Sequence, residues 1–299
     1  MKILLFGGNG QVGWELRRSL APLGEVIAPD RHRADGLWAD LMEPDRVAQT
    51  VREIRPALVV NAAAYTAVDK AESEPEIARI LNATAPGALA RAAQECGAWF
   101  VHYSTDYVFD GSGSSARSED DSTGPLNVYG ESKLEGECLV RASCERHLIF
   151  RTSWVYASRG GNFARTMLRL AGERDELRVV NDQHGAPTGA DLIADVTAHA
   201  IRTIESRPEL AGTYHLVASG ETTWWSYARY VIATARAAGS PVRVEDSAIR
   251  PVPTSDFVTP ARRPLNSRLS TGKLRGAFGL ALPDWKLGVD RMLAEVLAR

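Results

Sequence analysis

Apolar and polar positions keep a regular rhythm through the first half of the chain. Lys2 to Phe6 is a short apolar run of the buried-strand type, cut off by Gly7-Gly8-Asn9-Gly10-Gln11-Val12-Gly13 and followed by helical spacing through Leu16 and Leu20. Glu25 to Ala28 reads as a second strand, Pro44 to Ile54 as a helix with proline at its start, and Ala57 to Val60 as a third strand. Pro75 to Cys96 has helical spacing with a break before Pro86, and Trp99 to Tyr103 is the fourth strand. Tyr129 and Lys133 open the next helix, and His147 to Phe150 is the fifth strand. Strands alternating with helices across short turns predict a parallel, doubly wound sheet, a Rossmann-like α/β architecture.

The second half is less regular. Helices are expected over Gly160 to Leu170 and Ala190 to Ile204, and strands over Leu177 to Val180 and Tyr214 to Val217. Trp224, Trp225, Tyr227 and Tyr230 fall on a helix after Thr222 and read as core or interdomain packing. Pro251 to Pro264 reads as an extended proline-rich loop around the substrate lobe. The expected division is a nucleotide-binding domain over 1–155 and a smaller α/β substrate-binding lobe over 156–299, with segments of roughly 175–240 returning to the first domain.

Composition narrows the function without naming it. The 299 residues are 44% apolar and 24% charged, with a net charge of −2 and the signs interspersed, so neither nucleic acid nor an anionic membrane is the expected partner. No stretch approaches the roughly 20 apolar residues needed to cross a bilayer. Cys96, Cys138 and Cys144 are odd in number and form no C-x-x-C, which fits free thiols in a reducing cytoplasm. The six histidines are scattered, with no His or Cys at ligand spacing, and read as structural or surface residues.

Strand, glycine turn and helix in succession form the context of a dinucleotide site. Gly8, Gly10 and Gly13 satisfy one glycine frame and Gly7, Gly10 and Gly13 another; Gln11 and Val12 lie inside the turn. In either frame the missing side chains let backbone approach a pyrophosphate at a helix N-terminus. Asp30 ends the second strand where an acid bonds adenosine ribose hydroxyls, which suits NADH. Arg31 and Arg33 follow at once and suit the 2′-phosphate of NADPH, so both cofactors stay open. Asp40-Leu41 is placed to touch the adenine, or is a loop before the Pro44 helix. Asn61-Ala62-Ala63-Ala64-Tyr65 puts small residues at a strand's carboxyl end, where a flat ligand can lie on backbone. Ser104-Thr105-Asp106-Tyr107 puts hydroxyls at the next strand end, facing the same crevice, where they bond a substrate oxygen or cap a turn.

Tyr129 and Lys133 lie four apart, one helical turn along one face. A phenol titrates near ~10 and an ammonium near ~10.4 when unperturbed. An ammonium beside the phenol is expected to lower its pKa and make Tyr129 a proton donor or acceptor near neutrality.

Together these motifs resemble the extended short-chain dehydrogenases/reductases. S-T-D-Y-V-F-D-G from Ser104, Y-G-x-S-K-L-x-G-E from Tyr129, R-T-S-W-V-Y from Arg151, D-Q-x-G-A-P-T from Asp182 and R-M-L-A-E from Arg291 are similar, more narrowly, to the dTDP-4-dehydrorhamnose reductase family, almost end to end. The resemblance implies NADPH- or NADH-dependent reduction of the C4 keto group of dTDP-4-dehydro-L-rhamnose in the cytoplasm. It implies Tyr129, Lys133 and Thr105 as catalytic residues, and Val68, Asp106, Tyr107 and Trp154 at the sugar. It implies that the Asn181–Thr188 segment closes over the sugar nucleotide. Related dehydratases carry a glutamate where Tyr107 stands, so reduction fits better than dehydration. Epimerisation or reduction of another nucleotide sugar, and a non-catalytic NADP-binding regulatory subunit, are the alternatives. Some members join two subunits through Mg2+ held by helix carboxylates. Glu15, Asp191 and Glu295 match those positions, with Asp191 shorter than the family's glutamate, and a homodimer is the corresponding assembly. Arg262, Arg263 and Arg268 face a diphosphate or solvent.

Overall fold

The computed structural model describes residues 1–31 and 36–298. Among these residues, six parallel strands form one sheet: β1 (Lys2–Phe6), β2 (Glu25–Ile27), β3 (Leu58–Asn61), β4 (Trp99–Thr105), β5 (His147–Thr152) and a sixth strand, Gly212–His215, from the second half of the chain. Their spatial order is sixth strand, β5, β4, β3, β1, β2. The chain leaves β1 in one direction to form β2, then returns to its other side to form β3. That reversal opens a crevice beyond the carboxyl ends of β1 and β3, the usual ligand position in such sheets.

Side-chain alternation along β1 builds the core on both faces. Ile3 and Leu5 point to one side, where Leu16, Leu20, Ile193 and Ile201 cover them. Leu4 and Phe6 point to the other, against Val47, Val51, Leu89 and Val140. The helices Gln11–Leu20 and Ala190–Ile204 pack on the first face; Pro44–Ile54, Ala85–Glu95 and Val128–Ser143 pack on the second.

The long helical segment expected over Pro75 to Cys96 is three pieces: helix Pro75–Arg79, a π-helical turn Ile80–Thr84 and helix Ala85–Glu95. The widened turn is used. Asn82 accepts from Tyr65 N at 2.8 Å and donates to Ser132 Oγ at 3.0 Å, while a Cβ on Gly136 would come within 2.0 Å of Asn82 O. The bulge thus lets the helix carrying Tyr129 and Lys133 press close. The remaining residues build a second cluster around Tyr227, Val231, Trp285 and Val289, beside a parallel strand pair, Leu177–Val180 with Ile249–Val252.

Candidate active site

The carboxyl ends of β1, β3, β4 and β5 open into one cavity of about 570 Å3. The glycine turn contributes Gly7, Gly10, Gln11 and Val12; β3 contributes Ala62, Ala63 and Ala64, with Val68 beyond; β4 contributes Ser104, Thr105, Asp106 and Tyr107. Tyr129 and Lys133 enter from their helix, and Trp154 follows β5.

The turn itself selects between the two glycine frames. Gly7 has φ +78°, and a Cβ there would come within 2.5 Å of Ala63 N. A Cβ on Gly13 would come within 2.0 Å of Gly7 O. Gly7, Gly10 and Gly13 are therefore the working set: Gly7 makes the turn, Gly13 lets helix and strand close, and Gly10 N donates back to Gly7 O at 3.0 Å. The helix Gln11–Leu20 has no side-chain cap and no acid in its first turn. Its N–H groups and partial positive charge are presented to the cavity, and this bare cradle fits a pyrophosphate.

Tyr129 and Lys133 sit in the first turns of Val128–Ser143, which Asn127 caps by accepting from Gly130 N at 2.8 Å. Gly130 is required because a Cβ there would come within 2.3 Å of Tyr107 O. The two side chains share the cavity, but the ammonium-tuned phenol expected from their spacing is not what forms. Lys133 Nζ turns to Tyr103 O at 2.6 Å and His102 Nε2 at 3.2 Å. Burial instead pushes the Tyr129 phenol well above its ordinary value, opposed only by the Thr105 hydroxyl, with the Asp106 charge adding to the rise. Burial lowers Lys133 to about 8. Tyr129 is thus a protonated donor throughout the neutral range. Asp106, raised by burial to about 6, accepts from Thr105 Oγ1 at 3.1 Å.

Two contacts lay beyond sequence reading. Trp154 adopts φ +48° and stacks on Trp224, ring centroids 3.6 Å apart and planes 16° apart. Trp224 also lines the cavity, so it is not packing alone. Its Nε1 donates to Gln183 Oε1 at 3.0 Å, which brings the Asn181–Thr188 segment to the site. Arg263 donates to Asp69 at 2.7 Å and to Tyr107 Oη at 3.2 Å, while Arg268 pairs with Glu221 at 2.6 Å. Arg263 and Arg268 are therefore engaged by protein groups.

The model of the family described as RmlD substrate binding domain matches residues 1–298. The chain belongs to this family. It is 60% identical over 296 residues to the dTDP-4-dehydrorhamnose reductase of Escherichia coli, covering 99% of this chain and 98% of that one. It is 50% identical over 303 residues to the protein of that name from Burkholderia thailandensis, with both chains covered in full. Among solved structures, it resembles a dTDP-4-dehydrorhamnose reductase of Clostridium acetobutylicum at 36% identity and TM-score 0.86, covering 98% and 99% of the two chains. A reductase of the same name from Bacillus anthracis, solved in complex with NADP, matches at 35% identity and TM-score 0.85 with the same coverage. The extended short-chain fold expected from the motifs is the fold found.

Of the residues proposed for this family's cofactor, five lie off the cavity wall. Gly13 stands behind the turn, and Leu41 is a core residue beside Val47. The Asp40 carboxylate accepts from Met42 N at 3.1 Å and lies 3.6 Å from the Arg31 guanidinium. Asp30, half-buried, follows β2, and Arg31 next to it is largely exposed. Arg33 lies outside the described residues.

The metal expectation concerns a bridge between two subunits, of which one chain supplies half. Glu15, Asp191 and Glu295 do border one recess, but Arg18 and Arg291 border it too. Glu15 pairs with Arg18 at 3.2 Å, and Asp191 and Glu295 each lie 3.6 Å from Arg291. Among the described residues no three acidic, His or Cys side chains gather to hold a metal ion. Within one chain, guanidinium groups lie beside these carboxylates. The cysteines are free, and among the described residues no helix is long and apolar enough to cross a membrane.

Proposed function

We propose that this protein reduces the C4 keto group of dTDP-4-dehydro-L-rhamnose to give dTDP-L-rhamnose, using NADPH or NADH. The observation that carries this reading is the half-buried Tyr129 phenol beside a threonine hydroxyl on the wall of the cavity that holds the glycine turn. Gly7, Gly10 and Gly13 with the Gln11–Leu20 N-terminus hold the pyrophosphate, and Ala62 to Ala64 form the floor for the nicotinamide. When bound, the reduced nicotinamide supplies the hydride. As hydride reaches the carbonyl carbon, negative charge grows on its oxygen. Tyr129 donates its proton to that oxygen, and the Thr105 hydroxyl, turned from Asp106, donates a hydrogen bond; one such donor is worth about 3–4 kcal/mol. Because burial favours the protonated phenol, Tyr129 carries the proton that reduction of a carbonyl consumes. Tyr107, in place of a carboxyl base and bonded to Arg263, leaves no acid/base pair at that position for eliminating water.

Trp154 and Val68 contact the sugar. Arg31 favours NADPH through the 2′-phosphate once it leaves Asp40. The homodimer implied by the resemblance belongs to the same reading, and sedimentation of the purified protein tests it. Activity is tested by incubating the protein with dTDP-4-dehydrorhamnose and NADPH and following loss of the reduced nicotinamide absorbance. Tyr129→Phe is expected to lower turnover by roughly 10²–10⁴-fold. No turnover by the wild type, or an unaffected Tyr129→Phe enzyme, overturns the reading.

A further inference from the structure

The frame of Gly7, Gly10 and Gly13 leaves Gly8 without a task, and Arg17 supplies one. Helical side chains lean toward the helix N-terminus. Arg17 reaches back along Gln11–Leu20 until its Nη2 donates to Asn9 Oδ1 at 3.3 Å. A Cβ on Gly8 would come within 2.8 Å of Arg17 Nε, 3.0 Å of its Nη2 and 3.2 Å of the Ala28 Cβ. The missing side chain leaves a slot between the turn and the end of β2, and the guanidinium lies in it.

That guanidinium has few partners. Arg17 is half-buried, and its Nε is out of water with no hydrogen-bond partner among the described residues. Among the described residues no carboxylate pairs with it, whereas the next residue, Arg18, is held by Glu15 at 3.2 Å and by Asp195 at 2.8 Å. Arg31 lies 3.6 Å from Asp40. A guanidinium has only donors, and burying it without an acceptor is costly. An anion from outside the chain would relieve that cost.

Position says which anion. Gly7, Gly10, Gln11 and Val12 face the cavity. Gly8 and the Arg17 guanidinium lie on the flank of the turn toward Ala28, the residue directly after β2. The pyrophosphate belongs to the helix N-terminus on the cavity side. The end of β2, where Asp30 stands, is the place of the adenosine ribose. The anionic group a nicotinamide dinucleotide can carry on that ribose is a 2′-phosphate, present in NADPH and absent from NADH.

We propose that Arg17, admitted by Gly8, is the fixed cation of a 2′-phosphate site and gives this protein a preference for NADPH over NADH despite the acid at Asp30. The proposal deepens the cofactor half of the reductase reading and rests on it. Arg31 must leave Asp40 to reach the same phosphate; Arg17 has no carboxylate to leave.

Isothermal titration of the purified protein with ADP-ribose and with 2′-phospho-ADP-ribose isolates the phosphate. The two fragments differ in nothing else, and neither can be turned over. A charge-assisted hydrogen bond from Arg17 should make the wild type bind the phosphorylated fragment at least about tenfold more tightly at low ionic strength. Arg17→Gln should lose most of that factor and leave ADP-ribose affinity unchanged. Arg17→Lys should keep part of it, as a charge without the planar fork. Gly8 lies outside the left-handed region, so the backbone accepts Gly8→Ala, which puts a methyl group where the guanidinium lies. That variant should lose the preference with Arg17 still present. Equal wild-type affinity for the two fragments overturns the proposal, as does a preference that survives in Arg17→Gln. Equal weakening of both fragments in Arg17→Gln means that Arg17 only braces the turn through Asn9, and overturns it too. If Arg17→Gln fails to fold, the wild-type ratio and Gly8→Ala decide. Failure of both fragments to bind overturns the cofactor reading along with the proposal, whereas the keto-sugar assay can fail with the fragment preference intact.

Discussion

Asp106→Asn should make the protein more stable at alkaline pH and leave it unchanged near pH 4.5. Asp106 is 2% exposed, and its Oδ1 accepts from Thr105 at 3.1 Å. Burial raises its pKa from 3.8 to about 6, with Ser267 and Thr105 opposing the rise. The folded state therefore binds this proton more tightly than the unfolded chain, so wild-type stability falls as pH rises between about 4 and 6. At about 1.4 kcal/mol per pH unit, the full cost is about 3 kcal/mol above pH 7. Asparagine removes that cost but leaves an amide N–H short of an acceptor, about 1 kcal/mol. The expected gain is about 2 kcal/mol at pH 8, or roughly 3 °C in melting temperature for a chain of this length, and about zero at pH 4.5. Thermal melts of both proteins across this range test it. A stability difference that is the same at pH 4.5 and pH 8, or a less stable variant at pH 8, refutes the desolvation account.

Other perturbations follow from the same geometry. Gly13→Ala drives a Cβ into Gly7 O and should weaken NADPH binding by at least about tenfold in a fluorescence titration, because the turn cannot close. Trp224→Ala removes the ring that holds Trp154 in its left-handed conformation; KM for the nucleotide sugar should rise while dinucleotide affinity, measured separately, stays constant. Glu137→Gln leaves Arg151 buried without its counter-charge and should cost about 3–5 kcal/mol in chemical denaturation.

What could be read ahead of the structure was local. The glycine turn, the hydroxyls ending β4 and the Tyr129–Lys133 spacing lie within single turns or strand ends, where periodicity and side-chain chemistry suffice. The glycine frame was left open because both choices share Gly10 and Gly13; the close approach of Gly7 to Ala63 decides it. His102 was set aside as scattered because its partners come from other elements. Asn61 meets it only through the β3–β4 register, and Lys133 only through helix packing. Trp224 sits among aromatics that do pack the second cluster, so composition could not distinguish the ring that faces the cavity. The expected tuning of Tyr129 failed for a related reason: spacing puts two residues on one face but does not say where a flexible ammonium points, and here a carbonyl and an imidazole capture it. Helix carboxylates at matching positions suggested a metal, while the arginines beside them were visible only in three dimensions.

The sixth strand has a practical consequence. Gly212–His215 pairs with β5 over Leu148–Arg151, and the helix Ala190–Ile204 packs on the Ile3 and Leu5 face of β1. A fragment ending near residue 155 would carry an uncapped β5 and a bare hydrophobic face, both invitations to self-association. Transplanting specificity from a relative therefore means exchanging loops around these two segments, not swapping the carboxyl-terminal half as a module.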